Sequence, residues 1–218
     1  MVWDWHEYTP GIDADGAYQA AIIQGGILAN AIKLHTPPYK HVHFIGHSAG
    51  AKLIHEAASA YIYDYFIRQQ NPFIHQTFLD AYTPSDADIK GPTSYGSLPT
   101  NYPNHYAEHY VDRSGSQVPW INSTNSCLSN TFNFDITGWV PDKDDRLGEF
   151  GHQWPRRWYQ KSITFAPAGS TPPGFVYGYH LSRESGYDRL DRLSVDYPPG
   201  QQCPVFVEGA RCIPARCW

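Results

Sequence analysis

Charge is scarce in this chain. Only 17% of its 218 residues are charged, and the net charge of -5 includes no basic block. That leaves no electrostatic footprint for nucleic acid. No stretch approaches the ~18 unbroken apolar residues of a membrane helix. The best run, residues 20–32, is interrupted by Gln24 and Asn30 and holds two adjacent glycines. No CxxC pair is present, which argues against a zinc ribbon. Residues 1–5 carry neither a basic stretch nor a long apolar core, so no signal peptide is read there. No internal repeat is found.

What is there suits one globular domain with a substantial core: apolar content is 41% and aromatic content 15%. Of the four cysteines, Cys203, Cys212 and Cys217 crowd into the last 16 residues, and Cys127 stands apart. The plain expectation is one or two disulfides stapling a loop-rich tail in a secreted protein. Free buried thiols are the alternative. Asn122-Ser123-Thr124 is a glycosylation sequon, which fits export.

Residues 2–5 read as the end of a short strand. An amphipathic helix follows, with Ala20, Ile23, Ile27, Ala31 and Leu34 on one face. Gly25 and Gly26 weaken it by roughly 1 kcal/mol each relative to Ala, so their small size is expected to serve a close approach. Pro37 and Pro38 end it. Val42, Phe44 and Ile45 form a short run that reads as a buried strand. Leu53, Ile54, Ala57, Ala58, Tyr61, Ile62, Tyr65 and Phe66 then give a wide apolar stripe over about four helical turns. Residues 72–79 read as a strand ending at Asp80. Residues 105–111 and 132–136 are further strands, and residues 155–163 a short helix that opens on Pro155. Alternating strands and helices argue for an α/β fold with a mostly parallel sheet. Residues 1–165 form the expected core, and residues 166–218, rich in Pro and Gly, a loop-rich C-terminal extension.

Gly46-His47-Ser48-Ala49-Gly50 matches GxSxG. Chance alone puts that pattern in roughly one in fifteen chains of this length. Here it lies between a strand and a strong amphipathic helix, the context the motif requires. The serine of such a turn sits on strained backbone, so its neighbours two positions away are expected to be small. The following helix N-terminus favours developing negative charge. Ser48 is therefore the candidate nucleophile, and the Ala49 N–H one oxyanion donor.

A serine nucleophile needs a general base, and the base needs an orienting carboxylate, in the chain order Ser, acid, His on this fold. Asp80 directly follows a strand and is favoured; Asp112, after the next strand, is the rival. His152 lies in a loop just before a helix and is the favoured base. His180 is its rival, and His105 and His109 fall within a strand. His41 and His43 share one face of a strand, but no carboxylate is spaced along the sequence to join them. Neither a metal nor a cofactor is expected.

These residues carry a resemblance. Val2-Trp3-Asp4-Trp5, followed 43 residues after Trp5 by Ser48 within Val42-His43-Phe44-Ile45-Gly46-His47-Ser48-Ala49-Gly50, resembles the pancreatic-type lipase family. Phe78-Leu79-Asp80-Ala81 is similar to that family's acid-bearing segment. The stretch from His152 through Arg156, Tyr159 and Ser162-Ile163 is similar to its histidine segment. The resemblance covers roughly residues 1–165 and implies an α/β-hydrolase fold with a Ser48-Asp80-His152 triad acting on esters. Two features depart from the family: the acid lies 32 residues after the serine, somewhat farther than usual, and Ala81 replaces a proline. Residues 166–218 do not resemble the family's lipid-binding domain, so a smaller lipid or another ester is as plausible a substrate as triglyceride.

The family's second oxyanion donor comes from a loop upstream of the V-D-W strand, and this sequence begins at that strand. An N-terminally truncated hydrolase is therefore expected, with self-association through an exposed sheet edge. The competing expectation is a non-catalytic hydrolase-fold binding module; an amidase, peptidase or thioesterase is a third. The aromatic-rich residues 118–139 are expected to line an acyl pocket or form a lid.

Overall fold

The computed structural model describes residues 1–5, 13–84, 95–99, 102–112, 128, 131–136, 151–164 and 211–212. At its centre is a sheet in the order β1-β2-β3-β4-β5. The strands are β1 (His41–His47), β2 (Phe73–Leu79), β3 (His105–Val111), β4 (Phe132–Asp135) and β5 (Arg211–Cys212). The first four run parallel, and β5 joins β4 antiparallel. The expected parallel α/β sheet is present. Its fifth strand comes from the C-terminal extension, which therefore adds to the sheet.

Among the described residues, four α-helices accompany the sheet: α1 (Ala14–Lys33), α2 (Gly50–Tyr63), α3 (Tyr65–Gln69) and α4 (Trp154–Thr164). Helix α2 lies on one face, where Leu53 and Ala57 join Phe44, Ile74 and Phe78 in one buried cluster. Helix α1 packs along α2. Helix α4 covers the opposite face, where buried Trp158 and Tyr159 close on Tyr110 with ring centroids 4.9 and 5.5 Å away. No helix among the described residues is long and apolar enough to cross a membrane.

Five local expectations are corrected. Residues 2–5 form no strand. The apolar stripe read on α1 is the wrong face: Ile23 is 67% and Ile27 44% exposed, whereas Tyr18, Ala21, Leu28 and Ile32 are buried. Gly25 decides the face. A Cβ there would lie 2.5 Å from Glu56 Cβ and 2.6 Å from the Leu53 carbonyl oxygen, so the α1–α2 crossing is fixed where no side chain intervenes. Gly26 would meet nothing within 4 Å, so only the first of the pair serves the close approach.

The stripe from Leu53 to Phe66 is likewise not one helix. It breaks at Asp64, whose extended backbone ends α2 and whose carboxylate caps α3 by accepting from Phe66 N–H at 3.0 Å. A side chain that satisfies free N–H groups restarts the helix on a new axis, which leaves Tyr63 and Phe66 exposed. Finally, among the described residues β1 lies at the edge of the sheet, with Ile45 41% exposed, and is not a fully buried strand. A cavity of about 760 Å³ runs along it, walled by Trp3, Trp5, Leu28, Phe44, Leu53 and Arg156 among others.

Candidate active site

Ser48 and Asp80 each stand one residue beyond a strand. His47 pairs with Leu79 in the β1–β2 register, so the two residues emerge side by side at the C-terminal edge of the sheet. Both have left-handed backbones, with φ of 56° at Ser48 and 46° at Asp80. A non-glycine residue in that region is uncommon, and strained backbone gathers at functional turns. Hydrogen bonds hold both turns in place: Ser48 N–H donates to the Leu79 carbonyl at 3.0 Å, and Asp80 N–H to the Tyr110 carbonyl at 2.8 Å. The Ser48 carbonyl accepts from Ala51 N–H at 3.0 Å and Tyr82 N–H at 3.2 Å, tying the first turn to the second.

The glycines of the motif are not equivalent. A Cβ on Gly46 would press on the Gly50 carbonyl oxygen and lie 2.7 Å from its carbon. A Cβ on Gly50 would meet nothing within 4 Å. The expectation that both positions must be small holds only at Gly46. Ala49, between Ser48 and the start of α2, is buried, and its carbonyl accepts from Lys52 N–H at 3.0 Å.

His152 arrives from far along the chain. A short 3-10 turn, Gly151–Gln153, carries it into α4, and the buried indoles of Trp154 and Trp158 anchor that helix. Its Nδ1–H donates to Asp80 Oδ2 at 2.6 Å, the short distance of a charge-assisted bond. This orients the ring and leaves Nε2 as the lone-pair nitrogen. Burial, followed by the Arg156 guanidinium, lowers His152 from 6.5 to about 4. The imidazole is neutral at pH 7 and able to accept a proton. Ser48 Oγ makes no hydrogen bond to His152 among the described residues.

Three supporting groups escaped sequence reasoning. His47, the variable residue before the serine, donates from Nε2 to the backbone carbonyl of His152 at 2.8 Å, and the two rings lie 4.5 Å apart. His109 accepts from Ala81 N–H at 3.2 Å through Nε2 and donates from Nδ1 to Asn133 Oδ1 at 3.0 Å. Both of its nitrogens are committed, and burial lowers it to about 4, so it braces the Asp80 turn as a neutral ring. Asp112, the rival acid, gives its backbone N–H to Asp80 Oδ1 at 3.4 Å. No local sequence pattern marks these roles, because each partner lies far along the chain.

The structure thus brings Ser48, Ala49, Asp80 and His152 to one sheet edge. His180, Cys127, Cys203, Cys217, the Asn122 sequon and most of residues 118–139 lie outside the described residues. No protein-family model, no curated protein and no solved structure matches this chain. What the site can do is argued from its geometry and chemistry.

Proposed function

We propose that this chain is a serine hydrolase of the α/β-hydrolase type, resembling the pancreatic-type lipases, that cleaves carboxylic esters. The observation that carries this reading is the Asp80–His152 pair beside Ser48 at the ends of two adjacent parallel strands. Ser48 Oγ attacks the acyl carbon while His152 Nε2 takes its proton. Negative charge develops on the carbonyl oxygen near the Ala49 N–H at the start of α2. The leaving alcohol then takes the proton from Nε2, leaving an acyl-Ser48 ester. Water, deprotonated by Nε2, attacks that ester, and Nε2 returns the proton to the departing Ser48 Oγ as the carboxylic acid is released. Asp80 stabilises the imidazolium in both steps without taking its proton. The chemistry needs no cofactor. An extracellular setting goes with this reading, and so does self-association along β1, which lies at the sheet edge among the described residues.

The test is hydrolysis of p-nitrophenyl butyrate by the chain and by Ser48→Ala. A wild-type rate well above that of the variant supports the proposal, and lengthening the acyl chain then separates an esterase from a lipase. Equal rates from two folded proteins would refute it and leave a non-catalytic hydrolase fold as the better reading.

A further inference from the structure

A second chemical cluster lies in the middle of the sheet, on the face that α4 covers. His43, His75 and Glu108 come from β1, β2 and β3, three adjacent parallel strands. One ligand atom from each lies within 4.8 Å of the others, and His75 and Glu108 are buried. The pair His41 and His43 lacked a carboxylate when followed along the sequence. The parallel register supplies one, because His43 stands opposite His75 and Thr77 opposite Glu108.

We propose that His43, His75 and Glu108 bind a divalent ion of the zinc type. Two imidazoles and a carboxylate are a common donor set for such an ion, with one position left for water or a hydroxyl. Thr77 helps to aim the set: its Oγ1 lies 2.8 Å from His43 Nε2 and donates to Glu108 Oε1 at 2.8 Å. Glu108 is also held in orientation, since Tyr110 OH donates to its other oxygen at 3.0 Å. Such outer hydrogen bonds are what aim a ligating carboxylate. An entry path exists: His43 is only half-buried and lines the cavity along the β1 edge.

The geometry also dictates how the site loads. The His43 and His75 rings lie parallel, 3.7 Å apart with 5° between planes. One ion cannot lie in both ring planes, so His43, the more exposed ring, turns out of the stack while His75 and Glu108 stay. The cluster sits five residues before Ser48 along β1, roughly 16 Å away at the rise of a strand. It does not touch the reacting atoms. Its effect is to pin three strands together beneath the edge that carries Ser48 and Asp80.

The experiment is calorimetric titration of zinc chloride into the full chain after chelator treatment and dialysis, with melting followed in parallel. One equivalent is expected to bind, raising Tm by roughly 5–10 °C at a hundredfold excess over Kd. Cobalt in place of zinc should give the visible absorption of a four-coordinate ion with nitrogen ligands. His43→Gln, at a half-exposed position, should keep the fold by circular dichroism and weaken zinc binding about tenfold or more. Glu108→Gln should do likewise, and if it does not fold, His43→Gln decides. His152→Ala should bind zinc as the wild type does. Failure of the wild type to bind an equivalent overturns the proposal. So does unchanged affinity in folded His43→Gln, which would place the ion on other histidines. Neither result bears on the esterase assay, so the two proposals fail separately.

Discussion

Replacing Gly46 and Gly50 by alanine, one at a time, separates the structure from the generic motif. The motif treats both glycines as steric necessities. In the structure a Gly46 Cβ lies 2.7 Å from the Gly50 carbonyl carbon and 3.1 Å from Ala51 N, and both are backbone atoms that cannot swing aside. The first turn of α2 has to move off the end of β1. Overpacking of this kind costs typically 1–3 kcal/mol. The displaced turn carries Ser48, and a shift of about 1 Å in a reacting group can cost ~10²-fold in rate. Gly50 is the opposite case. It has open space around its missing Cβ and begins α2, so alanine there should stabilise by up to about 1 kcal/mol. Urea unfolding of both variants, followed by tryptophan fluorescence and paired with the ester assay, reads both effects. Gly46→Ala should unfold at lower urea and lose most activity, while Gly50→Ala should match or exceed the wild type. Equal losses in the two variants would falsify the account of the turn.

Three further outcomes follow from the same structure. Gly25→Ala should destabilise by about 1–3 kcal/mol, because its Cβ meets Glu56 Cβ at 2.5 Å, whereas Gly26→Ala should stabilise by up to about 1 kcal/mol; urea midpoints moving together would refute the packing. Asp80→Asn keeps a residue tolerant of φ 46° but removes the charge that orients His152, so kcat should fall about 10⁴-fold with the urea midpoint little changed; retained activity would remove Asp80 from the relay. Acid should unfold the chain early. Burial first of all lowers His47, His55, His109 and His152 from 6.5 to about 4, and His105 to about 3. The unfolded chain protonates these rings below 6.5 while the native state keeps them neutral. The stability they contribute is therefore complete above pH 6.5 and is lost as pH falls toward 4. Each loses on the order of 1 kcal/mol by pH 5.5, and together they remove a large share of a domain's stability. Near-ultraviolet dichroism should show a cooperative transition between about pH 6 and 5; native signal persisting below pH 4 would contradict it.

What could be read in the sequence was what depends on neighbours a few residues away. The strands at residues 41–47 and 73–79, the helix after Ser48 and the turn residue Asp80 all announce themselves by local periodicity and by glycine or proline at their ends. The face of α1 did not. Its apolar residues run nearly all round the helix, and the choice between faces is made by the contact of Gly25 with α2, a fact of tertiary packing. The edge position of β1 was equally hidden, since a short apolar run looks the same in the middle of a sheet and at its rim. The support given by His47 and His109 could not be seen either. Histidine carries no positional signature, and their partners lie 105 and 28 residues away.

One number in the sequence held more than it disclosed. The spacing of 32 residues between Ser48 and Asp80 looks like a departure from the family pattern. In the fold it is the register offset itself, for every β1 residue pairs with the β2 residue 32 positions later. That single offset sets Ser48 beside Asp80 at the end of the strands and His43 beside His75 in their middle. Between β2 and β3 the offset is 31, which brings Glu108 to Thr77 on the same face. Side chains alternate faces along a strand, so a slip of one residue would turn Glu108 away from the two histidines and move Asp80 off the line of Ser48. The apolar residues of β2 that face α2 (Ile74 and Phe78) would then face α4. The core's demand for these residues on one side therefore holds the acid at the candidate triad and the carboxylate at the buried histidines.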